Sequence, residues 1–394
     1  MPRAQGEKSL NVCMLVTNFD APTGGVQKNS RLLLKELGKR GVGTFACARN
    51  YYGLPADELV DETQIHRSPV WGSSLAVNGI LYLIDTFLWL VKNRKRYDVV
   101  HCQQMFGPAM AAAVASFLVR KPIIVRVTTV GDLGEVKHIR QMPLSRIRIQ
   151  LIRRVSKWVA LTQEMANELT TLNIPRDRIK IIYNSTEIPI DTVFDNEAKT
   201  SLIKEIRLTH EKTGVFLGRL SEEKNLDVLI EAWKSVMEKY PDARLLLIGA
   251  GGDFRNVETA LRKQVENLGL SNNVHFLGHV ANAKDYVLAS DVFVLPSRSE
   301  GMSNALVEAL ACGAAIVATD IPANSEICED GINSLLIPVG DSVALSRAII
   351  RLFDTPELAR RLAAQARAKA EQELTVDKMV CAYLDVYREA IATV

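Results

Sequence analysis

Short apolar runs alternate along this chain with longer stretches in which apolar positions return every three to four residues. The first half carries NVCMLV (11–16), GTFACA (43–48), DVVHC (98–102), PIIVRV (122–127), WVALT (158–162) and IKIIY (179–183). A polar stretch without a clear period follows, across 187–212. The alternation then restarts with VFLG (215–218), RLLLIG (244–249), VHFLG (274–278), VFVLP (292–296), AIVAT (315–319) and SLLIP (334–338). Helix-length runs such as LDVLIEAWKSVMEKY (226–240) fill the gaps. Continuous apolar strands separated by helices predict parallel sheets covered on both faces. The pattern therefore predicts two doubly wound, Rossmann-like α/β domains, one over 1–190 and one over 191–375. A last helix, about 376–394, can pack on either. The run LAVNGILYLIDTFLWLV (75–91) holds Asn78 and Asp85 and is short for a bilayer, which predicts a buried or interfacial helix.

Composition narrows the class. The chain has 394 residues, too many for one ordinary core. It is 47% hydrophobic and 24% charged, as ordinary globular proteins are, and its net charge of +3 argues against a nucleic-acid partner. Six cysteines lie scattered with no C-x-x-C pair, so neither a zinc site nor a disulfide framework is expected. The apolar run at the N-terminus is too short for a secretory signal, and a cytoplasmic location is expected.

The chemistry concentrates where strands end. In SEGMSNALVEALACG (299–313), Ser299, Glu300 and Gly301 follow a predicted strand, where ligands of open α/β sheets sit. A helix is predicted from Ser303 or Asn304, with Gly313 as its C-terminal stop. Its first N–H groups and positive dipole end suit a phosphate, and Gly301 permits close approach. Glu308 lies about five residues into that helix, on the order of 7 Å along it. Its neighbours are all apolar, so its carboxylate needs partners. Vicinal hydroxyls of a ribose beside a diphosphate would serve; a basic side chain or a backbone N–H fits equally. The stretch VFLGRLSEEKNLDVLIEAW (215–233) repeats the strand–turn–helix shape, with Arg219 after the strand and Lys224 before a helix that Asn225 can cap. Two cations there can clamp a diphosphate without a metal; solvated loop charges are the alternative.

Together these motifs resemble the large family 4 of retaining glycosyltransferases. Glu300 and Glu308 match its glutamate pair separated by seven residues. Gly218-Arg219-Leu220 with Lys224-Asn225 matches its G-R-L-x-x-x-K-N pattern, and Gly24-Gly25-Val26-Gln27 matches its early glycine-rich loop. Further likeness runs through 161–185 and 317–341. The resemblance implies the GT-B fold, with two Rossmann-like doubly wound domains facing a central cleft. It implies that a sugar moves from a nucleotide-diphosphate sugar, with UDP or GDP, to a glycan or lipid-linked acceptor in cell-surface polysaccharide synthesis. Glu308 would bind ribose hydroxyls and Glu300 the donor sugar. Backbone N–H groups of Met302, Ser303 and Asn304 would hold the distal phosphate beside Gly301. Arg219 and Lys224 would neutralise the leaving diphosphate. Gly24 and Gly25 would close over the reacting groups, and His279 and Val280 would line the base. The resemblance also implies retention of configuration by same-face attack, with no covalent enzyme intermediate. No cofactor and no required metal ion are expected.

Some positions depart from the family. Where many relatives carry a histidine, the loop TTVGDLGEV (128–136) has none, leaving Thr128, Thr129 or Asp132 to touch sugar or acceptor. Asn184-Ser185-Thr186 matches a glycosylation sequon. His66 and His101 read as structural. The glycines of 249–252 form only an incomplete dinucleotide fingerprint, weak support for NAD. Two other readings stand beside the glycosyltransferase: a sugar-nucleotide epimerase, and a non-catalytic nucleotide or sugar-binding relative. Between Val136 and Gln163 there is no acidic residue, while Ile147, Leu151, Val155 and Val159 recur every four. That spacing predicts a basic amphipathic helix over 137–158, suited to an anionic membrane surface; a solvated basic helix covering the sheet is the alternative.

Overall fold

The computed structural model describes residues 10–20, 24–131, 134–189, 212–251 and 255–393. They fall into two units. One comprises 1–183 with 377–394, the other 184–376. Most of the polar stretch expected to join them, and the 1–9 terminus, lie outside the described residues.

The first unit holds an eight-stranded sheet. Its strands are β1 (Asn11–Leu15), β2 (Gly43–Arg49), β3 (Asp57–Val60), β4 (Thr63–Ser68), β5 (Val99–Cys102), β6 (Ile123–Arg126), β7 (Lys157–Ala160) and β8 (Ile179–Ile181). They run in the order β3-β4-β2-β1-β5-β6-β7-β8. All pairs are parallel except β3 with β4. The interior strands β5 and β6 are buried along their whole length, as covering by helices on both faces requires. The sequence pattern did not predict β3 and β4. Their segment is charged, and their two-residue hairpin uses Asp61 and Glu62 at positive φ in place of the usual glycine. Arg67 on β4 is nevertheless buried, because the Asp20 carboxylate accepts from its Nε and Nη2 at 2.8 and 2.9 Å.

The last helix, Val376–Ala392, packs on this first unit. Tyr387 Oη lies 2.8 Å from His101 Nδ1 on β5, and Lys157 donates to Glu389 at 2.8 Å. The expected basic helix over 137–158 is corrected by the structure. That segment forms two short helices, Glu135–Gln141 and Ser145–Ile152, and then β7. Val155, in the connection before β7, and Val159, on β7, are both core residues, so their spacing of four was not a helical face. The helix Leu75–Lys92 has one buried side and one exposed side.

The second unit holds six parallel strands: β9 (Thr213–Leu217), β10 (Arg244–Ile248), β11 (Val274–Gly278), β12 (Val292–Leu295), β13 (Ile316–Thr319) and β14 (Leu335–Ile337). Their order is β11-β10-β9-β12-β13-β14. The chain winds outward from β9 to β11, then returns to lay β12 against the other side of β9. The connections diverge at that point, and in open α/β sheets ligands bind beyond the carboxyl ends of strands at such a reversal, here β9 and β12.

Candidate active site

The two motifs singled out in the sequence follow β9 and β12, which are neighbours: Val292 pairs with Gly214 and Phe293 with Val215. After β9 come Gly218 and Arg219, a turn of 3-10 helix at Glu222–Lys224, and the helix Leu226–Lys239. After β12 come Ser297 to Met302, then Ser303 as N-cap of the helix Asn304–Ala311. Ser303 accepts from the Leu306 N–H with its side chain. That helix ends as expected, with Gly313 at φ 62; the N–H of Gly313 bonds Leu310 O and that of Ala314 bonds Ala309 O.

The two loops are knit together. Lys224 Nζ donates to Glu300 Oε1 at 2.5 Å, and Ser297 Oγ donates to the same oxygen at 2.7 Å. The side chains of this pair are only 12% and 10% exposed, so both charges are largely withdrawn from water. The backbone N–H of Arg298 donates to Glu223 O at 2.8 Å, and its Nε to Asn225 Oδ1 at 2.6 Å. Asn225 stands at the N-cap position in the left-handed region, but its side chain does not cap the helix; it ties the loops instead. Ser297 is backed in turn by Thr319 at the end of β13, whose hydroxyl donates to Ser297 O at 2.5 Å.

Arg219 is more than half exposed, and its guanidinium donates to Glu223 Oε1 at 3.1 Å. Burial pushes the Glu223 carboxyl up, but hydrogen bonds from Ser221 and its own backbone, with Arg219 and Lys224 nearby, outweigh it and hold the pKa below the usual carboxylate range. Glu223 and Arg298 are neighbours of the expected site residues that the sequence pattern did not reveal, because only folding brings the two loops side by side.

Glu308 is buried one helical turn below Asn304, roughly 6 Å along the axis and on the same face. Asn304 is held by Asn184, whose amide donates to Asn304 Oδ1 at 2.8 Å and to Met302 O at 3.1 Å. Asn184 is therefore a buried strut under the Met302–Asn304 turn, and its sequon is closed to modification in the folded chain. Sequence reading missed that role because Asn184 lies far from 302 along the chain.

The other expected site residues stand apart. His279 and Val280 follow β11, at the same edge of the sheet, with β10 between β11 and β9. Gly24 and Gly25 open the helix Gly25–Lys39 in the first unit, after β1. Within the 128–136 loop, Thr128 donates from both N and Oγ1 to Glu135 Oε1, and Met105 N donates to Glu135 Oε2. Glu135 is buried, which pushes its carboxyl pKa up against those bonds. Asp132 lies outside the described residues, as does Gly252. In the turn after β10, Gly251 N already donates to Glu258 Oε2 at 3.0 Å. His66 is bound between Asp57 and Asp85, and His101 is buried against Tyr387.

Comparison with known proteins shows what the chain as a whole is similar to. A family model described as Glycosyl transferases group 1 matches residues 199–369, and one described as Glycosyltransferase Family 4 matches residues 23–188. The "Putative glycosyltransferase EpsD" of Bacillus subtilis is 30% identical over 345 residues, covering 82% of this chain and 84% of that protein. The N-acetyl-alpha-D-glucosaminyl L-malate synthase of Bacillus anthracis is 25% identical over 303 residues, covering 76% and 77%. Among solved structures, HepE of Anabaena in complex with UDP-glucose superposes with a TM-score of 0.79 at 19% identity, covering 98% of this chain and 100% of that one.

Proposed function

We infer the activity of this chain from its kinship: it belongs to glycosyltransferase family 4, has the GT-B fold and is a glycosyltransferase. The reaction we propose moves a sugar, with retention, from a nucleotide-diphosphate sugar to a glycan or lipid-linked acceptor in cell-surface polysaccharide synthesis. The observation that carries this reading is the desolvated Lys224–Glu300 pair, held by Ser297 where the strand order of the second unit reverses.

In the proposed reaction the diphosphate rests on the N-terminal turn of the Asn304–Ala311 helix, over Gly301, Met302 and Ser303. Lys224 and the more exposed Arg219 face the phosphate oxygens on which charge grows as the glycosidic bond breaks. Fixed cations in a partly dry site stabilise that charge without reorganising. Glu300, oriented by Lys224 and Ser297, accepts from hydroxyls of the donor sugar. Glu308 accepts from the ribose, and His279 and Val280 line the base. With two cations in these roles the proposal needs no divalent ion. The acceptor hydroxyl attacks the face the diphosphate leaves, and a departing phosphate oxygen takes its proton. Because HepE was solved with UDP-glucose, uridine nucleotides are the first donors to test.

The test is thermal unfolding with UDP, GDP, ADP, CMP and NAD. A nucleotide at a hundred times its dissociation constant adds roughly 2.7 kcal/mol of stability. One nucleoside diphosphate is expected to raise the melting temperature, and Glu308→Ala to abolish the rise. A rise with NAD alone would overturn the proposal in favour of an epimerase-like enzyme.

A further inference from the structure

The surface of the first unit carries an apolar feature that glycosyl transfer does not use. On the helix Leu75–Lys92, Ile80, Ile84 and Leu88 recur every four residues, and each is more than half exposed. Residues at that spacing share one face of a helix. The helix Gly107–Val119 packs beside it and exposes Phe117 and Leu118 to the same degree. The Ser145–Ile152 helix packs against that second helix in turn and adds exposed Ile147. Adjacent exposed apolar rows on a folded domain mark a docking surface.

Charge identifies the occupant. Between residues 69 and 163 there are fourteen lysines and arginines, of which Arg126 is buried and Lys157 is paired with Glu389, and four acidic residues. Three of those acids are engaged within the fold: Asp85 by His66 and Ser68, Asp98 by Asn11, and Glu135 by Met105 and Thr128. The fourth, Asp132, lies outside the described residues. Exposed Lys92, Arg94 and Lys95 close the first helix, and exposed Arg120 closes the second. Arg154 stacks its guanidinium 3.9 Å from the centre of the Phe117 ring, so apolar and cationic groups share one contact. A second copy of the chain would set these cations against one another, which is unfavourable. A surface with apolar rows along two helices and exposed cations at their ends complements lipid tails beneath anionic headgroups. Among the described residues no helix is long and apolar enough to cross a membrane, so the contact is superficial.

We propose that the exposed face of the Leu75–Lys92 and Gly107–Val119 helices docks the chain on an anionic lipid bilayer. Ile80, Ile84, Leu88, Phe117 and Leu118 enter the headgroup layer, and the flanking lysines and arginines rest on phosphates. This deepens the lipid-linked acceptor reading and rests on it for its purpose. Nucleotide binding, measured on the same preparations, succeeds or fails independently.

The test is flotation of the full chain with vesicles of phosphatidylcholine alone and with added phosphatidylglycerol. The chain is expected to float with the anionic vesicles and to stay behind with the neutral ones. Ile84→Asp combined with Phe117→Asp should lower the bound fraction at least about tenfold, with the melting temperature and nucleotide response kept. Arg94→Glu combined with Arg120→Glu, at two exposed positions, should do the same. Val343→Asp, an exposed apolar position in the second unit, should float as the parent chain does. Absence of flotation with anionic vesicles overturns the proposal. So does undiminished flotation of both double variants, or equal loss in Val343→Asp. A chain that binds no vesicle but forms a dimer dissociated by Ile84→Asp would assign the face to a second copy and overturn it likewise.

Discussion

At the scale of single residues, the Lys224–Glu300 pair sets the character of the site. Each charge has lost most of its water, and each is the other's chief compensation. Removing one partner of such a pair leaves the other uncompensated, at about 3 kcal/mol or more. In the proposed reaction Lys224 also meets charge that develops only as the diphosphate leaves. Lys224→Ala is therefore expected to lower turnover by about a hundredfold to a thousandfold, while nucleotide affinity falls far less. Steady-state kinetics with donor varied will show it as a loss in kcat with KM changed little. Glu300→Gln keeps the shape and the Ser297 contact but removes the charge that holds Lys224. Its turnover should fall too, with circular dichroism unchanged. A variant of either kind with full activity would place the chemistry elsewhere. Legibility at this scale was uneven. Glu300 and Lys224 could be read from their positions after strands, but Asn184, Ser297 and Arg298 could not. Their roles come from contacts between loops distant in the chain, and a polar residue in a loop looks the same whether it holds a turn or faces solvent.

At the scale of elements, the parallel strands impose close approaches that fix the loops. Gly249 ends β10 at φ 126, and its N–H donates to Gly278 O at 2.7 Å. A Cβ built there would lie 1.9 Å from Gly218 O, in the backbone that leads into Arg219. Gly249→Ala must therefore displace the β9 loop as well as adopt a conformation L-residues disfavour, at a cost of about 2–4 kcal/mol. Thermal unfolding should show the loss. The nucleotide-induced rise should shrink with it, because Arg219 is moved. Twelve of the fourteen strands among the described residues could be read from apolar runs, since a strand buried on both faces needs such residues throughout. The β3–β4 hairpin could not, because β3 is an exposed edge that needs no apolar run, β4 buries Thr63, Arg67 and Ser68 beside Ile65, and their turn carries Asp61 and Glu62. The 137–158 segment misled for the opposite reason. Its apolar spacing of four is real, but it spans the end of a helix and the start of β7, whose residues are buried by the sheet.

At the scale of the whole molecule, the first unit is closed by the far end of the chain. The Val376–Ala392 helix buries Met379, Val380, Tyr383, Val386 and Tyr387 on it. Its contact with β5 includes His101, where burial, with Arg126 beside it, pushes the imidazole down to about 3. The unfolded chain takes up a proton at His101 near pH 6.5, while the folded chain does not until far lower. The stabilising effect of a neutral His101 is thus complete above about pH 6.5 and is lost as pH falls toward 3. Each pH unit in that window weakens the first unit by at most about 1.4 kcal/mol from this group. In His101→Gln, which keeps a hydrogen-bonding partner for Tyr387, the slope of stability against pH between about 6 and 4 should flatten. Urea unfolding at a series of pH values, followed by aromatic circular dichroism, will measure it. An unchanged slope would mean that His101 is protonated in the folded chain.

The sequence by itself determined the class of this protein. Alternation of apolar runs and amphipathic stretches requires parallel sheets covered by helices, and the strand-end motifs at 218–225 and 299–308 mark the glycosyltransferase family because local chemistry suffices to write them. Tertiary structure alone decided what those motifs touch. The reversal of strand order beside β9 lays two separate loops together, so that Glu300 meets Lys224 and Arg298 meets Asn225. Folding likewise decided which apolar face of Leu75–Lys92 is buried and which is left to solvent, and it brought the last helix back onto the first sheet. Those outcomes depend on contacts between residues up to hundreds of positions apart, and side-chain periodicity carries information only about neighbours within a few turns.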